Sequence, residues 1–168
     1  MKASTERTKR EERIDDLDVR ILDALQDDAR RSRDSIGRMV GLSAPAIHER
    51  IRKLERTGAI RGYAALLDAE RVGSDLLAFV RVFIDHPRYE GAFVSAVTSM
   101  PEIQECHWVT GSASCLLKAR TRDRQELQKL ILDRINALEG VRQTETIVVL
   151  STSKETPRIH LDAMEDRP

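Results

Sequence analysis

The sequence predicts an α+β chain in two parts, an N-terminal unit with a winged helix-turn-helix and a C-terminal βαββαβ domain. Three observations carry this. Residues 32–63, SRDSIGRMVGLSAPAIHERIRKLERTGAIRGY, read as a short helix, a tight turn at Val40-Gly41-Leu42 and a longer helix rich in Arg and Lys. From Leu76 the apolar pattern changes from helical spacing to β-branched and aromatic runs. Two amphipathic helices then alternate with those runs in the order of a ferredoxin-like split βαβ.

The elements follow in order. Leu17, Ile21, Leu22 and Leu25 form a helical stripe between Asp15 and Asp28, and Asp15, Asp16 and Asp18 suit the N-terminal end of a helix dipole. A second helix spans Arg33 to Val40 and stops at Gly41. The third starts at Ser43, a capping residue, with Pro45 in the first turn, where a missing N–H does no harm. Ile47, Ile51 and Leu54 must face its core, and Gly58 ends it. Ala59 to Leu67 reads as extended, a wing or a connecting strand. Leu76–Ile84 is a buried strand, and Tyr89–Met100 is a helix with Phe93, Val97 and Met100 on one face. Ile103–Thr110 and Cys115–Thr121 are strands of a hairpin around Gly111-Ser112-Ala113-Ser114. Asp123 caps a helix that Gly140 ends, and Val141–Leu150 is the last strand. The predicted parts are a charged arm at 1–13, a DNA-binding unit at 14–66, a linker at 67–75, the βαββαβ domain at 76–152, and a loose polar tail at 153–168.

Composition narrows the function classes. With 168 residues the chain can hold one domain or two small ones, and 40% hydrophobic content is enough for a core. No apolar run approaches the roughly 20 residues of a membrane span, and MKASTERTKREER lacks the apolar stretch of a secretory signal. Two cysteines make no disulfide framework, so a cytoplasmic protein is expected. Cys115 is expected opposite about residue 110, away from Cys106, and both read as small hydrophobes. His48, His86, His107 and His160 show no metal spacing, and no metal or cofactor is expected. Net charge is zero, yet the first 62 residues carry 15 Lys and Arg against 12 Asp and Glu. A local positive face on a neutral particle suits a groove-binding surface.

A helix-turn-helix sets its second helix into the DNA major groove. Ala44, Pro45, His48, Glu49 and Arg52 project opposite the core positions and are candidates for base edges, Arg52 for guanine O6 and N7. Glu49 either accepts from cytosine or pairs with Lys53 one turn on, and the pair is favoured. Arg50, Lys53, Arg56 and Arg61 are candidates for phosphate contacts or structural ion pairs, and Ser43 is foremost a cap. Trp108 reads as a core or interface residue. Arg81 interrupts an apolar strand, so one sheet face is a candidate dimer surface.

Three blocks in order, LDVRILDALQDDAR, VGLSAPAIHERIRKLERTGAIRGYAALLD and IQECHWVTGSASCLLKAR, resemble the Lrp/AsnC (feast/famine) family of transcription regulators. The resemblance covers about residues 14–150. It implies a C-terminal domain of the RAM type, double-stranded DNA as partner, homodimers that assemble further into octamers, and an amino-acid effector. By the same resemblance Glu102, Ile103, Val109, Thr110, Gly111, Ser112, Ala113 and Ser114 are the effector-site candidates. The family's turn is Gly-Asp-Tyr/Phe-Asp, whereas Gly111-Ser112-Ala113-Ser114 lacks both carboxylates and the ring. Anionic partners for an α-ammonium are therefore missing. Two other readings stand beside the regulator: an architectural DNA-binding protein without effector, and an enzyme similar to sirohaem decarboxylases, in which His107 and Arg120 would serve.

Overall fold

The computed structural model describes residues 14–161. The predicted arm at 1–13 and the tail beyond 161 lie outside the described residues. The chain divides into two compact units, one ending at Ala65 and joined again by residues from Thr156 onward, the other Leu66–Glu155.

The first unit holds α1 (Asp16–Asp27), α2 (Arg33–Val40) and α3 (Ala44–Arg56). Asp15 caps α1 in a reciprocal box with Asp18, Ser32 caps α2 and Ser43 caps α3, so each start is fixed by a side-chain oxygen on an otherwise unsatisfied N–H. Ile21, Ala24, Ile36, Val40, Ile47, Ile51 and Leu54 form one buried core. The α2–α3 turn depends on two glycines. Gly41 ends α2 in the left-handed region at φ 76°, as expected. Gly37 has no such φ, but a Cβ there would stand 2.4 Å from the Leu42 carbonyl oxygen. The segment after α3 makes no strand within the chain: Ile60 N donates to Leu54 O, and irregular backbone follows.

The second unit holds β1 (Leu76–Ile84), a 3₁₀ turn (Pro87–Tyr89), α4 (Glu90–Thr98), β2 (Ile103–Trp108), β3 (Cys115–Thr121), α5 (Arg124–Lys129) and β4 (Val141–Val148). The sheet order is β2-β3-β1-β4, every pair antiparallel. Ala78, Val80, Val82, Cys115, Leu117 and Ala119 face the helices and pack against Phe93, Val97, Leu127 and Ile135. Strand alternation puts Phe79, Arg81, Phe83 and Glu145 on the opposite, open face. α5 passes without a break into a π-helical turn, Leu130–Ile135, which no feature of LILDRI foretold.

Two expectations fail. Cys115 pairs with Trp108 and Cys106 with Leu117, because six residues rather than four join the strands. The two cysteines are thus diagonal neighbours and both are free thiols. Burial, and then the neighbouring Cys106, push the Cys115 thiol up to about 12, which leaves it inert. The C-terminal segment is also not loose throughout. Arg158 pairs with Asp27 and, at 2.5 Å, with Asp23, while Gln26 Nε2 donates to Ile159 O and Ile159 N donates to Gln26 Oε1. These residues therefore belong with the first unit.

Candidate DNA interface and effector turn

α3 has a sharply divided surface. Ile47, Ile51 and Leu54 are buried. Pro45, His48, Glu49, Arg52 and Arg56 are exposed and recur at three- and four-residue spacing, which makes one continuous stripe. Ser43 and Arg61 are exposed at either end, and Ala44 is half-buried. The Ser43 hydroxyl accepts from Ala46 N at 3.4 Å, the capping role expected of it.

Two of the candidate cations are diverted from the stripe. Arg50 Nη1 lies 2.8 Å from Asp15 Oδ2 and 2.6 Å from Asp18 Oδ1, and Lys53 Nζ lies 2.9 Å from Asp18 Oδ2. The Asp18 side chain is completely buried. A buried carboxylate is tolerated only when paired and hydrogen-bonded, and here two cations of α3 meet that need. For Asp15, burial raises the pKa. The hydrogen bond from Arg50, the Asp18 amide and the charges of Arg50 and Lys53 outweigh it and hold the carboxyl below its ordinary value. Arg50 and Lys53 thus join α3 to α1, the ion-pair alternative of the two weighed from sequence. Arg52, Arg56 and Arg61 make no ion pair among the described residues. Tyr63 OH lies 3.0 Å from Glu55 Oε1 and ties the chain after α3 back to the helix.

In the second unit, the turn is fastened to β1. Ser114 N donates to Val82 O at 2.9 Å, and Ile84 N donates to Ser114 Oγ at 3.0 Å. Arg81 Nη2 donates to Ser112 Oγ at 2.6 Å, and Arg81 Nη1 donates to Glu145 Oε2 at 2.6 Å. Ala113 is buried, while Gly111 and Ser112 are exposed. Val109 and Thr110 lead into this turn, with Val109 N donating to Ser114 O. Glu102 and Ile103 do not reach it: they lie at the opposite end of β2, whose six residues at ~3.3 Å each span roughly 20 Å. There Arg134 Nη1 donates to Glu102 Oε1 at 2.7 Å. Trp108 is half exposed at the sheet edge, its ring centroid 6.5 Å from that of Phe93. His107 and Arg120, the residues an enzyme reading needs, are engaged with Glu105 at 3.1 Å and Glu155 at 3.4 Å.

Comparison with known proteins agrees with both units. Residues 14–55 match the AsnC-type helix-turn-helix domain and residues 77–159 the Lrp/AsnC ligand binding domain. The chain is 40% identical to the leucine-responsive regulatory protein of Klebsiella pneumoniae over 87% of its own length and 90% of the relative's. The chain belongs to the Lrp/AsnC family. It is 36% identical to the HTH-type transcriptional regulator FL11 of Pyrococcus horikoshii, over 87% of its length and 95% of that protein's. Among solved structures it is similar to the Neisseria meningitidis transcriptional regulator NMB0573 in complex with L-Met, with a TM-score of 0.84, 32% identity, and coverage of 89% and 98% of the two chains. It is also similar to Escherichia coli AsnC, with a TM-score of 0.78, 26% identity, and coverage of 90% and 99%. This chain is accordingly an Lrp/AsnC transcription regulator, with a DNA-binding helix-turn-helix and a ligand-binding domain.

Proposed function

We propose that this regulator reads double-stranded DNA through Pro45, His48, Glu49 and Arg52, with Arg56 and Arg61 on phosphates, as a cytoplasmic homodimer. The observation that carries the reading is the division of labour on α3: Arg50 and Lys53 are spent on Asp18, while Arg52 and Arg56 remain on the exposed stripe. A structural helix has no need to keep those cations in one line. A dimer of such units sets two recognition helices into successive major-groove faces of a partly symmetric site.

The open sheet face, with Phe79, Phe83 and the half-exposed Ile147, is the dimer surface in this reading. Dimers assemble further, up to octamers, and the C-terminal unit takes an amino acid or another small metabolite, as the L-Met complex of the Neisseria relative supports. Because Glu102 and Ile103 lie a strand's length from the turn, a ligand that touches both groups meets them on two different copies of the chain. The ligand then acts through its different affinities for the alternative assemblies. No catalytic step belongs to this function.

Fluorescence anisotropy on the protein's own upstream DNA against a scrambled duplex, at about 150 mM salt, tests the first part. Preference for the upstream DNA is expected, and equal affinity for both duplexes overturns sequence-specific reading. Sedimentation with and without pooled amino acids and small acids tests the second: a sedimentation change is expected, and an unchanged profile overturns effector-linked assembly.

A further inference from the structure

The effector turn lacks the acids that its family places there, and the residues around it are not a neutral replacement. Three kinds of donor lie on this turn or against it. The Arg81 guanidinium, about one-third exposed (35%), uses one N–H of each Nη on Ser112 and Glu145. A guanidinium carries five N–H donors, so each Nη keeps a second hydrogen for another oxygen. Ser112 Oγ accepts from Arg81, so its own proton is left to donate and is polarised by the cation beside it. Gly111 stands at φ 114°, and among the described residues no acceptor meets the N–H groups of Gly111, Ser112 or Ala113. Successive backbone N–H groups left open in a turn can hold an anion.

The acceptors are scarce by comparison. Gly111-Ser112-Ala113-Ser114 holds no carboxylate, the Ser114 hydroxyl already accepts from Ile84 N, and Glu145 is turned to the guanidinium that neutralises it. A ligand carboxylate therefore finds charge-assisted donors, which are roughly twice as strong as neutral ones. An α-ammonium meets the Arg81 cation, and the one carboxylate beside it, Glu145, is already held by that cation at 2.6 Å, so the hydration it gives up is poorly replaced.

We propose that this turn receives the carboxylate of a small organic acid that needs no ammonium group, a 2-oxo or 2-hydroxy acid, and that Arg81 and Ser112 set this preference. The 2-oxo oxygen is a neutral acceptor and suits the Ser112 hydroxyl or a turn N–H. The proposal rests on the effector reading above and deepens it by naming the ligand class.

The test is calorimetric titration of the full-length protein with matched pairs: L-methionine, L-leucine and L-phenylalanine, each against the 2-oxo acid of the same side chain. The 2-oxo acid of at least one pair is expected to bind tenfold or more tightly than its amino acid. Ser112→Ala should weaken the oxo acid severalfold, Arg81→Gln should abolish its binding, and Ser112→Asp, which puts an anion beside the α-position, should invert the preference. Ser112 is exposed, so its two variants carry the test if sedimentation shows that Arg81→Gln changes assembly. An amino acid binding as tightly as its oxo acid, or a preference unmoved by Ser112→Asp, overturns the proposal and leaves the effector reading standing. No heat from any member of any pair, with specific DNA binding intact, overturns the proposal, and an unchanged sedimentation profile with the pooled ligands then overturns the effector reading as well.

Discussion

Replacing Arg50 by alanine separates the two jobs that basic residues do on α3. The change removes the 2.6 Å bond to Asp18 and the 2.8 Å bond to Asp15, and leaves Lys53 as the remaining α3 cation on a carboxylate with no solvent exposure. A hydrogen bond to a charged group contributes about 1.5–3 kcal/mol, and stripping a partner from a buried pair costs about 3–5 kcal/mol. Because Lys53 stays, the lower part of that range applies, about 2–3 kcal/mol. For a unit of this size each kcal/mol moves the midpoint by roughly 4–8 °C, so the first unit should melt roughly 10–20 °C lower. Differential scanning calorimetry reads the shift, and sedimentation confirms that the second unit still assembles. DNA affinity measured well below the new midpoint, across a salt series, should keep its slope, since Arg50 is held by Asp15 and Asp18. Arg56→Ala should do the reverse, lowering the slope by about 0.9 with little change in melting. An Arg50→Ala protein that melts like the parent and loses about one unit of salt slope would refute the assignment.

Other outcomes are expected. Arg52→Ala should cost about 1–3 kcal/mol on the preferred DNA site and much less on random duplex; equal losses in anisotropy would move Arg52 to the phosphate class. Gly37→Ala drives a Cβ to 2.4 Å from the Leu42 carbonyl oxygen and should destabilise the first unit by about 1–3 kcal/mol, the cost of overpacking, seen as a lowered melting midpoint. Acid should weaken the first unit through Asp15. Its pKa is lowered in the folded state, so its contribution is whole above the ordinary value of 3.8 and is lost as pH falls through the folded one. Melting scans between about pH 5 and 2.5 should show that loss, and Asp15→Asn should flatten it. Gly111→Val meets no clash but is strained at φ 114°, so ligand response or assembly should fail while the first unit melts unchanged in calorimetry.

Much of this was legible in the residues. β1 begins and ends where its apolar run does, and β3 keeps the expected Cys115–Thr121 span by alternation, because a strand buried on one face admits no slip without turning its side chains outward. The start of α3 was legible from Ser43 and Pro45, whose chemistry serves little else at a helix N-terminus. The role of Asp18 was not. An acid in the first turn of a helix has a sufficient local reason to be there, and nothing local says that α3 lies over it. The only hint was the i, i+3 spacing of Arg50 and Lys53, which puts both on one side of α3. The strand register near Cys115 was missed because turn length is set by how the loop fastens to β1, through Ser114 and Arg81, residues over thirty positions apart in part. Gly37 was missed because its φ is ordinary and only the Leu42 carbonyl demands it.

The return of Arg158 and Ile159 to α1 has a consequence for the order in which the chain matures. Arg158 is made 131 residues after Asp27, the α1 residue it pairs with. The DNA-reading unit therefore receives these contacts only after the whole of the second unit, Leu66–Glu155, has been made. A nonsense change between Glu155 and Arg158 therefore removes contacts from a helix that was made long before it.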